Sequence, residues 1–381
     1  MHLPRPFLIG LIAVVTTCGL AVSSSTAADG GHTRTREAME AMVERDGAPG
    51  VLAQVEDGAG VWIGSTGTAD YSTGRARLAR DRFRIGSLTK PFVATVLLQL
   101  ASEGRLRLDD PVRRWLPDLR LGRYGAAAGG PGAAVTVRQL LGHTSGIPDY
   151  IADPVLRRDY FSPRFLTHRW RSHTPEKLVE RSLSRPPLFR PGSRWSYSNT
   201  NYLLAGLVIE RATGHSYATE IERRVLRPLK LRDTSLPGSS SRIPGQHGKE
   251  YSTLFAPGAH PPVRDVTSLD PSLAGASGEM ISSDRDLVRF VRALVTGRLL
   301  PPRQLAEMKT TRRAGSGNRY GLGLTGRTLS CGVEVWGHEG TIHGSITSAF
   351  STPDGTHTAA FNINGDWSGD TDDLVEAEYC D

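Results

Sequence analysis

The sequence predicts a mixed α/β (α+β) protein. A mainly antiparallel sheet is flanked by helices, and a mostly helical domain is inserted between its early and late parts. Three observations predict this. Strand-like patterns gather near both ends of the 381-residue chain. From Leu106 to about Leu300 the pattern is mostly helical, with loops rich in Pro, Gly and Arg. About 350 residues remain after an apparent leader, more than one hydrophobic core usually organises. The expected division is a leader over 1–28, a sheet domain from 29–104 plus 301–381, and a helical domain over 105–300.

The leader rests on Arg5, the apolar run Phe7 to Val22 and the small polar stretch Ser23 to Ala28. Such a pattern is a secretory signal, cleaved near Ala27 or Ala28. The protein is therefore expected in the extracellular or cell-wall space. Cys18 before Gly19 raises a lipid-attachment reading, which Thr17 fits poorly. No later stretch reaches the length of a membrane span. The net charge is +7, nearly all of it arginine scattered along the chain. Without a basic run or interleaved aromatics, nucleic acid is not an expected partner, although anionic cell-wall polymers could attract the chain weakly.

Met39 to Arg45 reads as a helix, and Val51–Glu56 and Val61–Ser65 as strands joined by an Asp57-Gly58 turn. Next comes a helix running from about Ser87 to Gly104, its body formed by Phe92, Val93, Val96, Leu97, Leu98 and Leu100. Residues 125–132 (GAAAGGPG) and Leu236 to Gly248 read as connections. Tyr202–Glu210 and Leu287–Leu294 read as helices. Late strands are expected at Tyr320–Leu324, Val333–Trp336, Ile346–Phe350 and Ala359–Ile363, with a closing helix over Asp372–Tyr379.

Chemistry concentrates first at Arg84-Ile85-Gly86-Ser87-Leu88-Thr89-Lys90-Pro91-Phe92. Ser87 and Lys90, three apart at a helix start, share a face. Ser87 lies among unpaired first-turn N–H groups, where a developing negative charge is favoured. A lysine whose pKa falls on burial can activate that serine. The same string also describes an ordinary helix start with a solvated lysine. Against that, the chain has five lysines and only Lys90 has a serine three residues before it. Core-like sequence follows at once.

Tyr197-Ser198-Asn199, the one Y-x-N in the chain, follows a Pro191-Gly192 turn. Its tyrosine could share a proton with a lysine amine, and its carboxamide could hold a substrate amide. A helix N-cap by Ser198 or Asn199 explains the string equally. His338-Glu339-Gly340-Thr341 is expected at the end of a strand, where glycines allow a ligand to approach a sheet edge. An edge N–H there could serve an oxyanion, and a plain turn with a surface histidine is the alternative. His338 and His343 are five apart, which does not make a zinc-binding helix face. His143-Thr144-Ser145-Gly146 reads as a structural turn. Neither metal nor cofactor is expected. Cys331 and Cys380 would pair in an exported protein, closing a loop worth on the order of 4 kcal/mol, and would otherwise be two free thiols.

Taken together, the ordered strings S-x-x-K, HTSG, Y-x-N and H-x-G resemble the penicillin-recognising serine hydrolases, in the branch of class C β-lactamases and D-alanyl-D-alanine carboxypeptidases. The likeness runs from about Ala48 to Cys380. DRFRIGSLTKPF, SYSNTNY, YGLGL and SCGVEVWGHEGT are similar to the secreted carboxypeptidase/transpeptidases, as is the late cysteine pair. The resemblance implies a β-lactamase/transpeptidase-like fold and an acyl-enzyme on Ser87. Lys90 and Tyr197 would handle its proton, and Asn199, His338, Glu339, Gly340 and Thr341 would bind substrate. Backbone N–H groups of Ser87 and Thr341 would form the oxyanion hole. The expected activity is D-alanyl-D-alanine carboxypeptidase-like, on cell-wall peptides, with β-lactams also bound. The alternatives are an esterase, a D-amino-acid amidase or aminopeptidase, a β-lactamase, or a penicillin-binding sensor that acylates without turnover. The expected partner is a small peptide, ester or β-lactam, with peptidoglycan as a further candidate, and the expected state is a monomer. Two departures argue against strict carboxypeptidase specificity. Glu339 stands where similar enzymes carry a hydroxyl. Thr325-Gly326 stands where an arginine is expected, with Arg327 two residues late.

Overall fold

In a computed structural model, the described residues are 31–121, 134–256, 258, 261–315 and 318–380. The expected leader and the 125–132 connection lie outside them. A nine-stranded sheet is built from both ends of the chain. Its strands are β1 (Gly50–Asp57), β2 (Gly60–Asp70), β3 (Arg75–Ala76), β4 (Arg312–Arg313) and β5 (Arg319–Tyr320). They continue with β6 (Thr325–Thr328), β7 (Glu334–Ile342), β8 (Ser345–Ser351) and β9 (Thr358–Ile363). The order across the sheet is β3-β2-β1-β9-β8-β7-β6-β5-β4, and every pairing is antiparallel. β1 pairs with β9 in a register that sets Val51 opposite Ile363 and Val55 opposite Ala359.

Strand alternation decides which helix covers which face. Val51 and Val55 of β1 point to one side, with Phe350 of β8 and Phe361 of β9. There they meet Met39 and Met42 of α1 (Thr33–Glu44) and Leu374 and Tyr379 of α5 (Asp372–Tyr379). Leu52, Ala349 and Ala360 point to the other side, into the larger core. The small side chains of Ala349 and Ala360 let α4 (Asp284–Val295) lie close against β8 and β9, and it also touches β1. Beyond α4 the larger core continues through α2 (Thr89–Ser102) and α3 (Asn199–Thr213), which pack on each other. Eleven of the fourteen residues of α2 are buried, so it is a central helix rather than an amphipathic surface one.

Two strand expectations are corrected. Tyr320–Leu324 is not a strand: β5 ends at Tyr320, and residues 321–324 turn back into β6. Gly323 makes that turn at φ +78°, where an added Cβ would lie 2.6 Å from Ala94 Cβ and 2.7 Å from the Tyr202 hydroxyl. His338-Glu339-Gly340-Thr341 lies inside β7, which runs on to Ile342 instead of ending near Trp336. Cys331 and Cys380 form a disulfide that ties the end of α5 to the β6–β7 turn. Among the described residues no helix is long and apolar enough to cross a membrane.

Candidate active site

β6 pairs with β7 only from Glu334 to Gly337. Past that point the β7 edge is free of a strand neighbour and packs against the turn Gly86–Leu88, which carries Ser87 into α2. The approach leaves no room for a side chain. A Cβ on Gly340 would sit 1.9 Å from the Ile85 carbonyl oxygen and 2.9 Å from the Ser87 nitrogen. Gly86, at φ +50°, presses on the Thr341 backbone in the same way. These two glycines bring the Ser87 and Thr341 backbones together. On the opposite side the turn is held by Ile85 N–H donating to the Met280 carbonyl at 2.9 Å and Met280 N–H donating to Thr89 Oγ1 at 3.2 Å.

Lys90 is fully buried, and its Nζ lies 2.8 Å from Ser87 Oγ. The amine also lies 2.8 Å from Asn199 Oδ1 and 2.7 Å from the Ser277 carbonyl oxygen. Asn199 has its orientation fixed by Asp149, whose Oδ2 accepts from Asn199 Nδ2 at 2.9 Å and from Asn199 N at 3.2 Å. Carbonyl and amide oxygens can only accept. A neutral Lys90 therefore spends its two N–H bonds on Asn199 and Ser277, and its lone pair is left facing Ser87. Burial pushes the Lys90 pKa down to about 7, with Asp149 pulling weakly the other way. Tyr197 lies alongside, with Lys90 Nζ 4.8 Å from its ring centroid and Ser87 close enough to influence its phenol. Burial raises the Tyr197 pKa, so the phenol stays protonated when the amine is neutral.

His338 projects from β7 into a second arrangement. Its Nδ1 contacts the Glu339 carbonyl oxygen at 2.5 Å and must donate there, so Nε2 accepts from the Tyr320 hydroxyl at 3.0 Å. Burial and the nearby Lys90 charge lower its pKa to about 3, which keeps the ring neutral. Glu339 forms an ion pair with Arg327, whose Nη1 also reaches Asp372 Oδ1 at 2.5 Å. Burial raises the Glu339 pKa to about 7 despite Arg327. The expected turn reading of His143 to Gly146 holds: Ser145 Oγ donates to Asn201 Oδ1 at 2.6 Å, inside the fold.

Two cavities open on Ser87 and Thr341. One, of about 160 Å³, is walled by Tyr160, Phe161, Phe165, Phe255, Leu269 and Ile342. The other, of about 360 Å³, is more polar and includes Trp195, Asn318, Tyr320, His338 and Glu339. The cluster thus unites Ser87, Lys90, Tyr197, Asn199, His338, Glu339, Gly340 and Thr341, while Cys331 and Cys380 lie in the α5 tie. Sequence reasoning passed over Asp149 and the Ser277 carbonyl. Asp149 stands three residues after the HTSG turn and reads as a helix cap; Ser277 contributes no side chain to Lys90. Among the described residues no group of His, Cys, Asp and Glu side chains is placed to hold a metal ion.

The family model described as Beta-lactamase matches residues 35–378. Esterase EstB of Burkholderia gladioli is 31% identical over 281 residues, which are 66% of this chain and 66% of the esterase. Penicillin-binding protein 4* of Bacillus subtilis is 29% identical over 67% of this chain and 54% of its own length. A D-stereospecific amidohydrolase from Streptomyces sp. superposes with a TM-score of 0.84 at 48% identity, covering 92% of this chain and 98% of that one. The D-amino acid amidase of Ochrobactrum anthropi SV3, complexed with D-phenylalanine, gives 0.76 at 29% identity over 90% and 97%.

Proposed function

Because this chain belongs to the Beta-lactamase family of serine hydrolases, we propose that it forms an acyl-enzyme on Ser87 from amides and esters of D-amino acids with bulky apolar side chains. The observation that carries the reaction is Lys90, buried 2.8 Å from Ser87 Oγ with its lone pair free for one proton. The Oγ–H proton passes to Lys90 as Oγ bonds to the acyl carbon. The Ser87 and Thr341 N–H groups stabilise the resulting oxyanion. Lys90 returns the proton, with the Tyr197 hydroxyl beside the route, to the leaving amine or alcohol as the C–N or C–O bond breaks. Water then repeats the sequence and releases the acid.

The aromatic-walled cavity supports a bulky acyl side chain, and two structural neighbours named for D-specific amide hydrolysis point the same way. Export and a role at the cell wall remain part of this proposal. The test is a panel of D- and L-phenylalanine and alanine amides, with mass detection of the acylated protein. D-phenylalanine amide should turn over many times per enzyme, and Ser87→Ala should neither acylate nor turn over. Acylation of the Ser87→Ala variant, or preference for L-substrates, overturns the reading.

Carboxypeptidase action on D-alanyl peptides is the second reading. It is favoured by one observation: Arg327 partly neutralises Glu339, so a substrate carboxylate meets less repulsion than a bare Glu339 would impose. The same panel separates the two readings, by including an acyl-D-alanyl-D-alanine and its C-terminal amide. If the amide is preferred and Glu339→Thr moves the preference toward the free acid, Glu339 is what disfavours a leaving amine that bears a carboxylate.

A further inference from the structure

His143 of the HTSG turn packs against Tyr197 of the catalytic cluster, and its placement is unusual in three respects. It is fully buried yet has a left-handed backbone, φ +54°, a conformation that non-glycine residues seldom adopt. Its Nδ1 lies 3.2 Å from both the Ser198 backbone nitrogen and Asn201 Nδ2. Both are donors, so Nδ1 accepts and the proton of the neutral ring sits on Nε2. That Nε2 has no hydrogen-bond partner among the described residues. It lies among aromatic rings instead, with Tyr197, Tyr202 and Tyr320 centroids at 4.3, 5.3 and 4.9 Å from its own.

We propose that His143 is a positioning residue for Tyr197 and Asn199. Its ring backs the Tyr197 ring and its Nδ1 holds the Ser198 amide, which fixes where the Tyr197 hydroxyl and the Asn199 carboxamide meet Ser87 and Lys90. The inference rests on the proposed acylation chemistry. Ser198 is the residue between the two catalytic-cluster side chains, and it is the N-cap just before α3. An N–H at that position has no acceptor within the helix, and His143 Nδ1 supplies one. The same imidazole orders Asn201, which in turn accepts from Ser145 Oγ and locks the turn that strains His143. Burial lowers the pKa of this ring well below the usual imidazole range, which suits a neutral ring acting as acceptor. A His143 that transferred protons would need a path to Ser87; its one free nitrogen faces rings.

The experiment uses His143→Asn and His143→Phe in the full protein. Asparagine tolerates the left-handed backbone and can present an oxygen near the Nδ1 position; phenylalanine keeps the ring and loses the acceptor. His143→Phe should slow acylation about 100-fold, the scale of a displaced proton-transfer group. KM should change little, and the pH at which activity rises should not move. His143→Asn should recover most of that loss. In a Tyr197→Phe background, His143→Phe should cost little more, because residues acting as one unit are not additive. Fully additive losses, or an activity limb that shifts with His143, overturn the proposal, and so does a His143→Asn variant that folds but is no better than His143→Phe. If His143→Phe fails to fold, His143→Asn alone decides, since near-native acylation is required of it. Failure of the wild type to acylate at Ser87 would instead remove the underlying chemistry.

Discussion

At the scale of a single residue, Lys90 links pH, stability and catalysis. Its pKa of about 7 in the fold lies far below the 10.5 of a free amine. Between those values the unfolded chain binds a proton that the fold excludes. Stability is therefore lost as pH falls through that window, and the full loss is present below about 7. For a fully buried group this amounts to about 5 kcal/mol. Lys90→Met should abolish acylation and yet raise the urea midpoint near pH 6. That advantage should shrink by about 2–3 kcal/mol near pH 9. In the native protein kcat/KM should climb as pH rises through about 7. An equal midpoint gain at both pH values would show that Lys90 carries no such burden. Ser87, Lys90, Tyr197 and Asn199 were legible because hydroxyl, amine, phenol and carboxamide at helix starts leave a spacing in the sequence. Asp149 was not, since an aspartate before a short turn looks like any cap. The Ser277 carbonyl could not be, since a backbone oxygen has no sequence signature at all.

At the scale of the element, the decisive contact is β7 against the Ser87 turn. Gly340→Ala places a methyl where the Ile85 carbonyl stands, so the strand edge or the turn must retreat. Overpacking of this kind costs about 1–3 kcal/mol, and the larger effect should fall on acylation, because the Thr341 and Ser87 N–H groups separate. Gly58→Ala is the control: nothing lies within 4 Å of an added Cβ there, and stability should stay within about 0.5 kcal/mol. A fully active Gly340→Ala would deny the strand edge its part in the site. The sequence located this strand but stopped it short at Trp336. Gly337 and Gly340 interrupt the apolar alternation, and an edge that faces a turn rather than another strand needs no such alternation. The YGLGL segment failed for the opposite reason: apolar leucines alternate with glycines as in a strand, while Gly323 needs a backbone that a strand forbids. Helices with a long buried face, such as α3 and α4, were read correctly in their middles, with ends off by a few residues.

At the scale of the whole molecule, the sheet with helices was readable because strand-like runs sat at both ends of the chain. What could not be read was the strand order, since period-two patterns say which face is buried and nothing about which neighbour is paired. The observed order puts β1 between β2 and β9, so an early hairpin is completed by one of the last strands. The disulfide pins α5, the one helix or strand that follows β9 among the described residues, onto the same sheet. A chain stopped after residue 357 lacks β9 and α5. It should show no cooperative unfolding transition and no acylation, although every residue of the catalytic cluster is present; a cooperative, acylating truncation would contradict the dependence. Time is where this arrangement tells most. Contacts between distant parts of a chain form slowly, because loop closure precedes any reward. Synthesis runs from the first residue to the last, so Ser87 leaves the ribosome long before Gly340 exists to support it. Until the final strands arrive the nucleophile has no partner edge, and a half-made copy of this protein is chemically silent.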